Sequence, residues 1–148
     1  MGEVMTVLED VVSILNGFVL PSTTTLVTGT NLFYETSPDD LTDHDEIVML
    51  AEESGESDYA LGNNGVVIEK PRLHVLCRVA SDSGILACRH NIEAVRRTLS
   101  VFGSSIVNGT TYLAIMEEGT PEYQGPDSSN RPIFTQEFVV WKGLEVSV

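Results

Sequence analysis

The chain has too few cysteines for a disulfide scaffold or a zinc finger, and its apolar runs are too short for a membrane span. Its 148 residues include two cysteines, which are too few for a disulfide framework or a paired zinc motif. Uninterrupted apolar runs such as residues 47–51 fall far short of the roughly 20 residues that cross a bilayer. The N-terminus lacks a basic lead-in, so no signal peptide is expected. We therefore expect one domain over residues 1–148, with Cys77 and Cys88 as reduced core thiols that could face each other.

Basic residues are missing from the first half of the chain. Residues 1–69 carry 14 acidic side chains and no Lys or Arg, whereas residues 70–148 carry 8 of each sign, which gives the net charge of −14. Such a balance argues against a DNA-binding face, because neutralisation of phosphates supplies most of that affinity. The uneven distribution predicts that different faces meet different partners.

Catalytic motifs are also missing. The sequence has no Gly-Lys-Ser/Thr phosphate loop, no Gly-x-Gly-x-x-Gly after a strand and no Gly-x-Ser-x-Gly elbow. The three histidines lie in different contexts, and the pairs His74 with Cys77 and His90 with Cys88 are spaced so that their side chains diverge. These observations predict that the protein is not an enzyme.

No metal or cofactor is assigned from the sequence. Residues 39–46 are rich in Asp, but they lack the Gly and the Glu at the sixth and twelfth positions of a calcium loop. His90 and Glu93 have helical i, i+3 spacing, and one such pair is more often a surface hydrogen bond than half of a metal site.

The hydrophobic periodicity predicts two helices and several strands. A helix is expected over residues 3–16, and a second follows an N-cap at residues 81–83 with apolar residues at steps of three and four as far as Phe102. Residues 23–30 fit either a short strand or an extended connector. The expected strands are 32–34, 47–53, 72–80, 112–118 and 133–141.

Turn chemistry links these elements. Asn108-Gly109 predicts a type I′ hairpin turn, because both central residues of that turn need positive φ. Residues 37–40 predict a turn, and residues 54–65 and 119–132 predict long surface loops. Together the elements predict an α+β fold, with a mainly antiparallel or mixed sheet and two helices packed on one face.

The last expected strand has apolar residues on both sides. Its outward side carries Ile133, Val139 and Trp141, which implies a second cover over the sheet. Either the first helix or another subunit would satisfy this requirement.

Three segments in order resemble a known family. Residues 69–78 resemble its Pro-x-x-x-Val-x-x-Arg strand, and residues 107–115 resemble its Asn-Gly-x-x-Tyr-x-x-Ile hairpin. Residues 121–134 resemble its Pro-x-x-x-Gly-x-Asp-x-x-Gly-Arg loop. The family is that of tailed-bacteriophage tail terminator and minor capsid (head–tail joining) proteins. Asn130 stands where that family usually has Gly, and Asn tolerates the left-handed conformation.

The resemblance implies a structural virion protein of the tail or neck, assembled in the host cytoplasm. It would be a subunit of a homo-oligomeric ring, commonly a hexamer, that ends the tail tube and joins the tail to the head connector. Its partners would be copies of itself, the tail tube protein and the connector or neck proteins. DNA would pass through an acidic lumen without specific binding, and no membrane would be involved. The alternatives are a head-completion or neck connector protein and, from a different class, a small acidic α+β enzyme or ligand-binding domain.

Two groups of site residues follow from this interpretation. The expected subunit interface consists of Tyr123, Asp127, Asn130, Arg131 and Trp141. Arg131 is expected to pair with an acidic group of a neighbouring copy, so that Arg131→Glu would impair assembly without unfolding the subunit. The loop expected to contact a partner ring carries Asp39, Asp40, Asp43 and Asp45.

Overall fold

The structure is a computed structural model that describes residues 6–36, 40–59, 66–101 and 105–145; at 54–59, 66–67 and 144–145 it describes the backbone only. In chain order the elements are α1 (Val7–Leu15), β1 (Leu32–Tyr34), β2 (Ile47–Tyr59), β3 (Val66–Arg78), α2 (Ile85–Ser100), β4 (Ser105–Val107), β5 (Thr110–Pro126) and β6 (Pro132–Glu145).

The strands form a six-stranded sheet in the order β1-β2-β3-β6-β5-β4. Strands β1 and β2 pair in parallel, and the remaining neighbours pair antiparallel. Both helices share one core with the sheet, which contains Leu8, Ile92, Val75 and Phe138. The expected α+β fold, with a mixed sheet and two helices on one face, is confirmed.

The two helices begin in different ways. Thr6 caps α1 through a capping box with Glu9, which satisfies two of the orphan N–H groups at that end. Helix α2 begins after Gly84, which has φ of 85° and makes no side-chain cap, so the predicted cap at residues 81–83 is wrong. Ile85 is exposed and the buried stripe of α2 starts at Cys88, while Phe102 lies outside the described residues.

The strands are longer than the sequence predicted. β2 extends through residues 54–59, where a loop was expected, and β5 extends through residues 119–126. Register shifts at 53/56, 118/122 and 123/125 let these segments stay paired with their neighbours. Residues 54–59 and 119–126 are polar and contain Gly, so they have little strand propensity of their own; cross-strand hydrogen bonds stabilise them as strands.

The connections are partly as expected. The Asn108-Gly109 turn is confirmed, with φ of 49° and 80° at its two residues, and it joins β4 to β5. Residues 23–30 form a connector with isolated bridges at Val19↔Thr25 and Thr28↔Leu32. The predicted turn at residues 37–40 lies largely outside the described residues, as do residues 60–65 of the predicted loop.

The sheet face opposite the helices, which we call the outer face, is only partly covered. At one end Leu41, from the segment between β1 and β2, packs with Ile47 and Met49 to form a small second core. The side chains of α1 belong to the main core on the other face, so the described part of the first helix does not cover Trp141. Beyond the second core, no described residue covers the part of the outer face around Met116, Val139 and Trp141.

Candidate functional site

An apolar groove lies on the open part of the outer face. Its volume is about 370 Å³, and β3, β5 and β6 supply its walls. The register places Met116 beside Val139, and Ala114 beside Trp141. We call this feature the Trp141 groove. It is lined by Lys70, Arg72, Met116, Glu117, Glu118, Val139 and Trp141.

Cationic side chains flank the Trp141 groove. Lys70 Nζ lies 4.4 Å from the centre of the Trp141 ring, a distance at which a cation is attracted by the ring face. Arg72 Nη1 bonds Glu118 Oε2 at 2.8 Å, and both side chains are about two-fifths exposed, so this pair contributes at most about 1 kcal/mol. Met116 is 51% exposed. The groove thus presents solvent-accessible apolar surface beside two of the chain's few cations.

A second feature is the acidic segment between β1 and β2, residues 40–46, which we call the acidic loop. Asp40, Asp43 and Asp45 are exposed, and Asp39 lies outside the described residues. The buried guanidinium of Arg78 donates to the backbone carbonyl oxygens of Leu41, at 2.7 Å, and His44. Arg78, at the end of β3, therefore holds the backbone of the acidic loop in place, while the carboxylates of the loop remain in solvent.

Arg131 holds the same loop from the other side. Its Nη1 donates to the carbonyl oxygens of Thr42 and His44 at 2.9 and 3.0 Å, and it lies 3.5 Å from a carboxylate oxygen of Asp45. The Arg131 side chain is only 5% exposed. The structure thus gives its guanidinium partners within its own chain, which differs from the expected pairing with a neighbour and from a solvated arginine.

Asp127 organises the turn between β5 and β6. Its carboxylate accepts from the backbone N–H groups of Ser129 and Arg131, both at 2.9 Å, and from Arg131 Nε at 2.8 Å. Although burial opposes the charged form, these donors outweigh it and lower the pKa of Asp127. Asn130 has φ of 60°, so it takes the left-handed conformation expected of it.

The structure joins some predicted site residues and separates others. Asp127 and Arg131 come together with Asp45, although the sequence placed Asp45 in a different contact surface. Tyr123 is partly exposed, and its ring contacts that of Phe134 in a tilted arrangement, with the ring centres 5.2 Å apart. The register places Tyr123 against one end of β6 and Trp141 near the other. The expected interface residues therefore form two separate surfaces, and their role in contacts between copies stays a prediction.

Sequence reasoning missed a buried polar contact between α1 and β5. Asp10 is fully buried and accepts hydrogen bonds from the Tyr112 hydroxyl and from Asn108 Nδ2, the latter at 2.9 Å. The pKa of Tyr112 is raised, mainly because its hydroxyl is buried and also because it donates to the Asp10 carboxylate. The available signal was the position of Asp10, three residues after Val7 on the apolar stripe of α1.

The cysteines lie in the core without a bridge. Both are buried and free, and Cys88 Sγ donates to the carbonyl oxygens of Cys77 and Pro132 at 3.2 and 3.3 Å. Burial raises the pKa of the Cys88 thiol to about 11 and that of Cys77 well above its usual value. Reduced core thiols are what the sequence predicted.

Comparisons with known proteins show a likeness of fold. No protein-family model and no curated protein matches the chain. A chain from the virion of a native gene transfer agent particle is similar over 78% of this chain and 81% of that chain, with 13% sequence identity and a TM-score of 0.49. We assign neither family nor function from this likeness. In the described residues no helix has the length and hydropathy needed to cross a bilayer.

Proposed function

We propose that the protein is a structural virion component, the subunit of a homo-oligomeric ring that ends a phage tail tube and joins the tail to the head connector. The observation that carries this proposal is the Trp141 groove, an apolar surface that the chain's own helices leave open. The ordered resemblance to tail terminator and minor capsid proteins supports the same function. Two of its motifs fall on the Asn108-Gly109 hairpin and on the turn that Asp127 organises.

A ring requires two different complementary surfaces on each subunit. The Trp141 groove carries Lys70 and Arg72 at its edge, and the acidic loop carries exposed carboxylates that the subunit holds in place through Arg78 and Arg131. We propose that the acidic loop of one copy docks at the Trp141 groove of the next. The cations would then select the orientation, while burial of Met116 and Trp141 would supply most of the affinity.

The excess negative charge fits the proposed passage of DNA. With a net charge of −14, a ring of such subunits repels phosphates, so DNA would cross the lumen without specific contacts. The tail tube protein and the connector or neck proteins would contact the two rims. A head-completion or neck connector protein would use the same surfaces, and the order of rings in the virion distinguishes that alternative.

The proposal is tested by the assembly state of the purified protein. We expect sedimentation and negative-stain microscopy to show closed rings, alone or after addition of tail tubes. Met116→Glu introduces a carboxylate into the groove at an exposed position, so it should abolish rings while leaving the circular dichroism spectrum unchanged.

Leu86→Glu is the matched control, because Leu86 is an apolar residue of α2 that is 68% exposed and lies outside the groove. Rings that form equally well with Met116→Glu would reject the groove as the interface. A strict monomer in the presence of tail tubes would reject the ring and favour the ligand-binding alternative, for which a groove of about 370 Å³ is large enough.

A further inference from the structure

Three adjacent strands place a histidine and two carboxylates together on the outer face. In the register of the sheet His74 of β3 lies opposite Glu137 of β6 on one side and opposite Ala51 of β2 on the other. The small Ala51 side chain leaves space for Glu53, two residues further along β2, to reach the imidazole. The potential ligand atoms of Glu53, His74 and Glu137 all lie within 4.8 Å of one another.

The separation of His74 from Glu137 is closer to that of two metal ligands than to that of a hydrogen-bonded pair. His74 Nδ1 is 3.6 Å from Glu137 Oε1, which is too long for a good hydrogen bond. Two ligands at about 2.0–2.1 Å from a tetrahedral zinc ion are about 3.3–3.5 Å apart. The observed distance needs only a small side-chain movement to reach that value.

The imidazole nitrogen that faces the cluster is otherwise unused. His74 Nδ1 is inaccessible to solvent and has no hydrogen-bond partner among the described residues. Buried polar atoms are normally hydrogen-bonded, so one that lacks a partner indicates a missing ion or water. Because both neighbouring side chains are carboxylates, a bound cation would satisfy the imidazole nitrogen and the two carboxylates together.

The surrounding charges favour a cation as well. A cavity of about 160 Å³ next to the cluster is lined by His74, Glu137, Glu118 and Glu122, together with neutral polar residues. Arg72 pairs with Glu118 at 2.8 Å and so offsets one of these carboxylates. The excess of carboxylates in and around the cluster makes the local potential negative.

We propose that Glu53, His74 and Glu137 form a binding site for a first-row divalent metal ion, with Zn²⁺ as the best fit. Imidazole favours zinc and its neighbours over Mg²⁺ and Ca²⁺, which prefer sets of six or more oxygen ligands. Three protein ligands leave a fourth position, which water fills in the isolated subunit. The sequence assigned no metal, because the three residues come from segments far apart in the chain. This site does not depend on ring formation.

The test uses the full chain without an affinity tag, stripped with a chelator and titrated with ZnCl₂ by calorimetry at neutral pH. We expect one Zn²⁺ per chain, at least tenfold weaker binding of Mg²⁺ and Ca²⁺, and visible absorption bands on substitution with Co²⁺. His74→Gln should weaken Zn²⁺ binding by at least about 100-fold and remove the Co²⁺ bands, because it removes the one nitrogen ligand of the site, whereas the loss of an outer partner alone costs about 10–100-fold.

Charge-matched variants separate coordination from general attraction. Glu137→Gln and Glu122→Gln each remove one negative charge from the same cavity, but only the first removes a proposed ligand. We expect a loss of affinity of at least tenfold for Glu137→Gln and less than threefold for Glu122→Gln. Equal losses in the two variants, undiminished binding in His74→Gln, or no Zn²⁺ binding by the folded wild-type chain would each overturn the proposal. Because binding is measured per chain, failure to form rings leaves this result unaffected.

Discussion

Replacement of Arg131 by Met tests whether the turn before β6 and the acidic loop form one buried electrostatic unit. The substitution keeps an unbranched apolar chain in place of the methylene groups of Arg131 but removes the guanidinium. It eliminates the 2.8 Å bond to Asp127 and the two bonds to the carbonyl oxygens of Thr42 and His44. The carboxylate of Asp127, at 17% exposure, then keeps only the more distant guanidinium of Arg78, at 3.6 Å, as a charged partner.

The expected cost is about 3–5 kcal/mol in the free energy of unfolding, the usual effect of removing one partner from a buried ion pair. Three hydrogen bonds that involve a charged donor at about 1.5–3 kcal/mol each would give more. Thr42 is exposed, however, and water can replace part of what its carbonyl loses. A protein of this size is stable by about 5–15 kcal/mol, so the variant should fold but unfold at markedly lower urea concentration.

Trp141 is the only tryptophan in the chain, and its fluorescence provides the unfolding signal. For an m-value of about 2 kcal/mol/M, the urea midpoint should fall by about 2 M. Arg97→Met is the matched control, since Arg97 is exposed on α2, and it should change stability by less than about 0.5 kcal/mol. If Arg131→Met cost less than 1 kcal/mol, the guanidinium would not be the anchor of the acidic loop. Arg131→Glu would place a second carboxylate beside Asp127, so we expect it to lower the free energy of unfolding further than Arg131→Met does; whether the subunit stays folded, as the sequence predicts, is read from the same titration.

The same site gives a pH dependence whose sign follows from the lowered pKa of Asp127. A carboxyl group whose pKa is lower in the folded than in the unfolded chain stabilises the fold above its unfolded pKa of about 3.9. That contribution is lost as the pH falls from there through the folded pKa. Urea unfolding of wild type and Asp127→Asn between pH 5 and 2.5 should therefore show a shallower decline in the variant. Parallel curves would contradict the assignment.

Three further outcomes follow from the core and the hairpin. Tyr112→Phe should lower the free energy of unfolding by about 1–3 kcal/mol in urea titration, because the buried Asp10 carboxylate loses a donor; an unchanged midpoint would show that water replaces the hydroxyl. Cys77 and Cys88 should react with a thiol reagent at pH 8 only in denaturant, because both are buried with raised pKa values, and rapid labelling of the native protein would contradict their burial. Gly109→Ala should cost about 1–2 kcal/mol from its φ of 80° alone, since an added Cβ meets no atom within 4 Å; differential scanning calorimetry would refute this by showing no shift in Tm.

Local patterns determined the elements that depend on local chemistry. The spacing of Cys88, Ile92, Val95 and Leu99 predicted the buried face of α2, and all four are fully buried. The alternation from Leu73 to Val79 predicted the buried side of β3. Asn108-Gly109 predicted its turn, because positive φ at two successive residues is a property of those residues themselves.

The lengths of β2 and β5 depend on residues outside the segments themselves. Residues 54–59 and 119–126 read as loops, yet they pair with β3 and β6 across register shifts. Their hydrogen-bond partners lie outside the segment, so composition alone could not show that the backbone would be satisfied in a sheet.

Some features of the Trp141 groove, the acidic loop and the His74 cluster follow from the sequence, and others follow only from the tertiary structure. The sequence by itself established the acidic first half, the absence of catalytic motifs and the apolar outward side of β6, because these are matters of composition and period. Only the tertiary structure decided that Arg131 is held within its own chain and that His74 meets Glu53 and Glu137. The reason is that sheet order β2-β3-β6 brings together residues more than 80 positions apart in the chain, and neither spacing nor periodicity encodes that order.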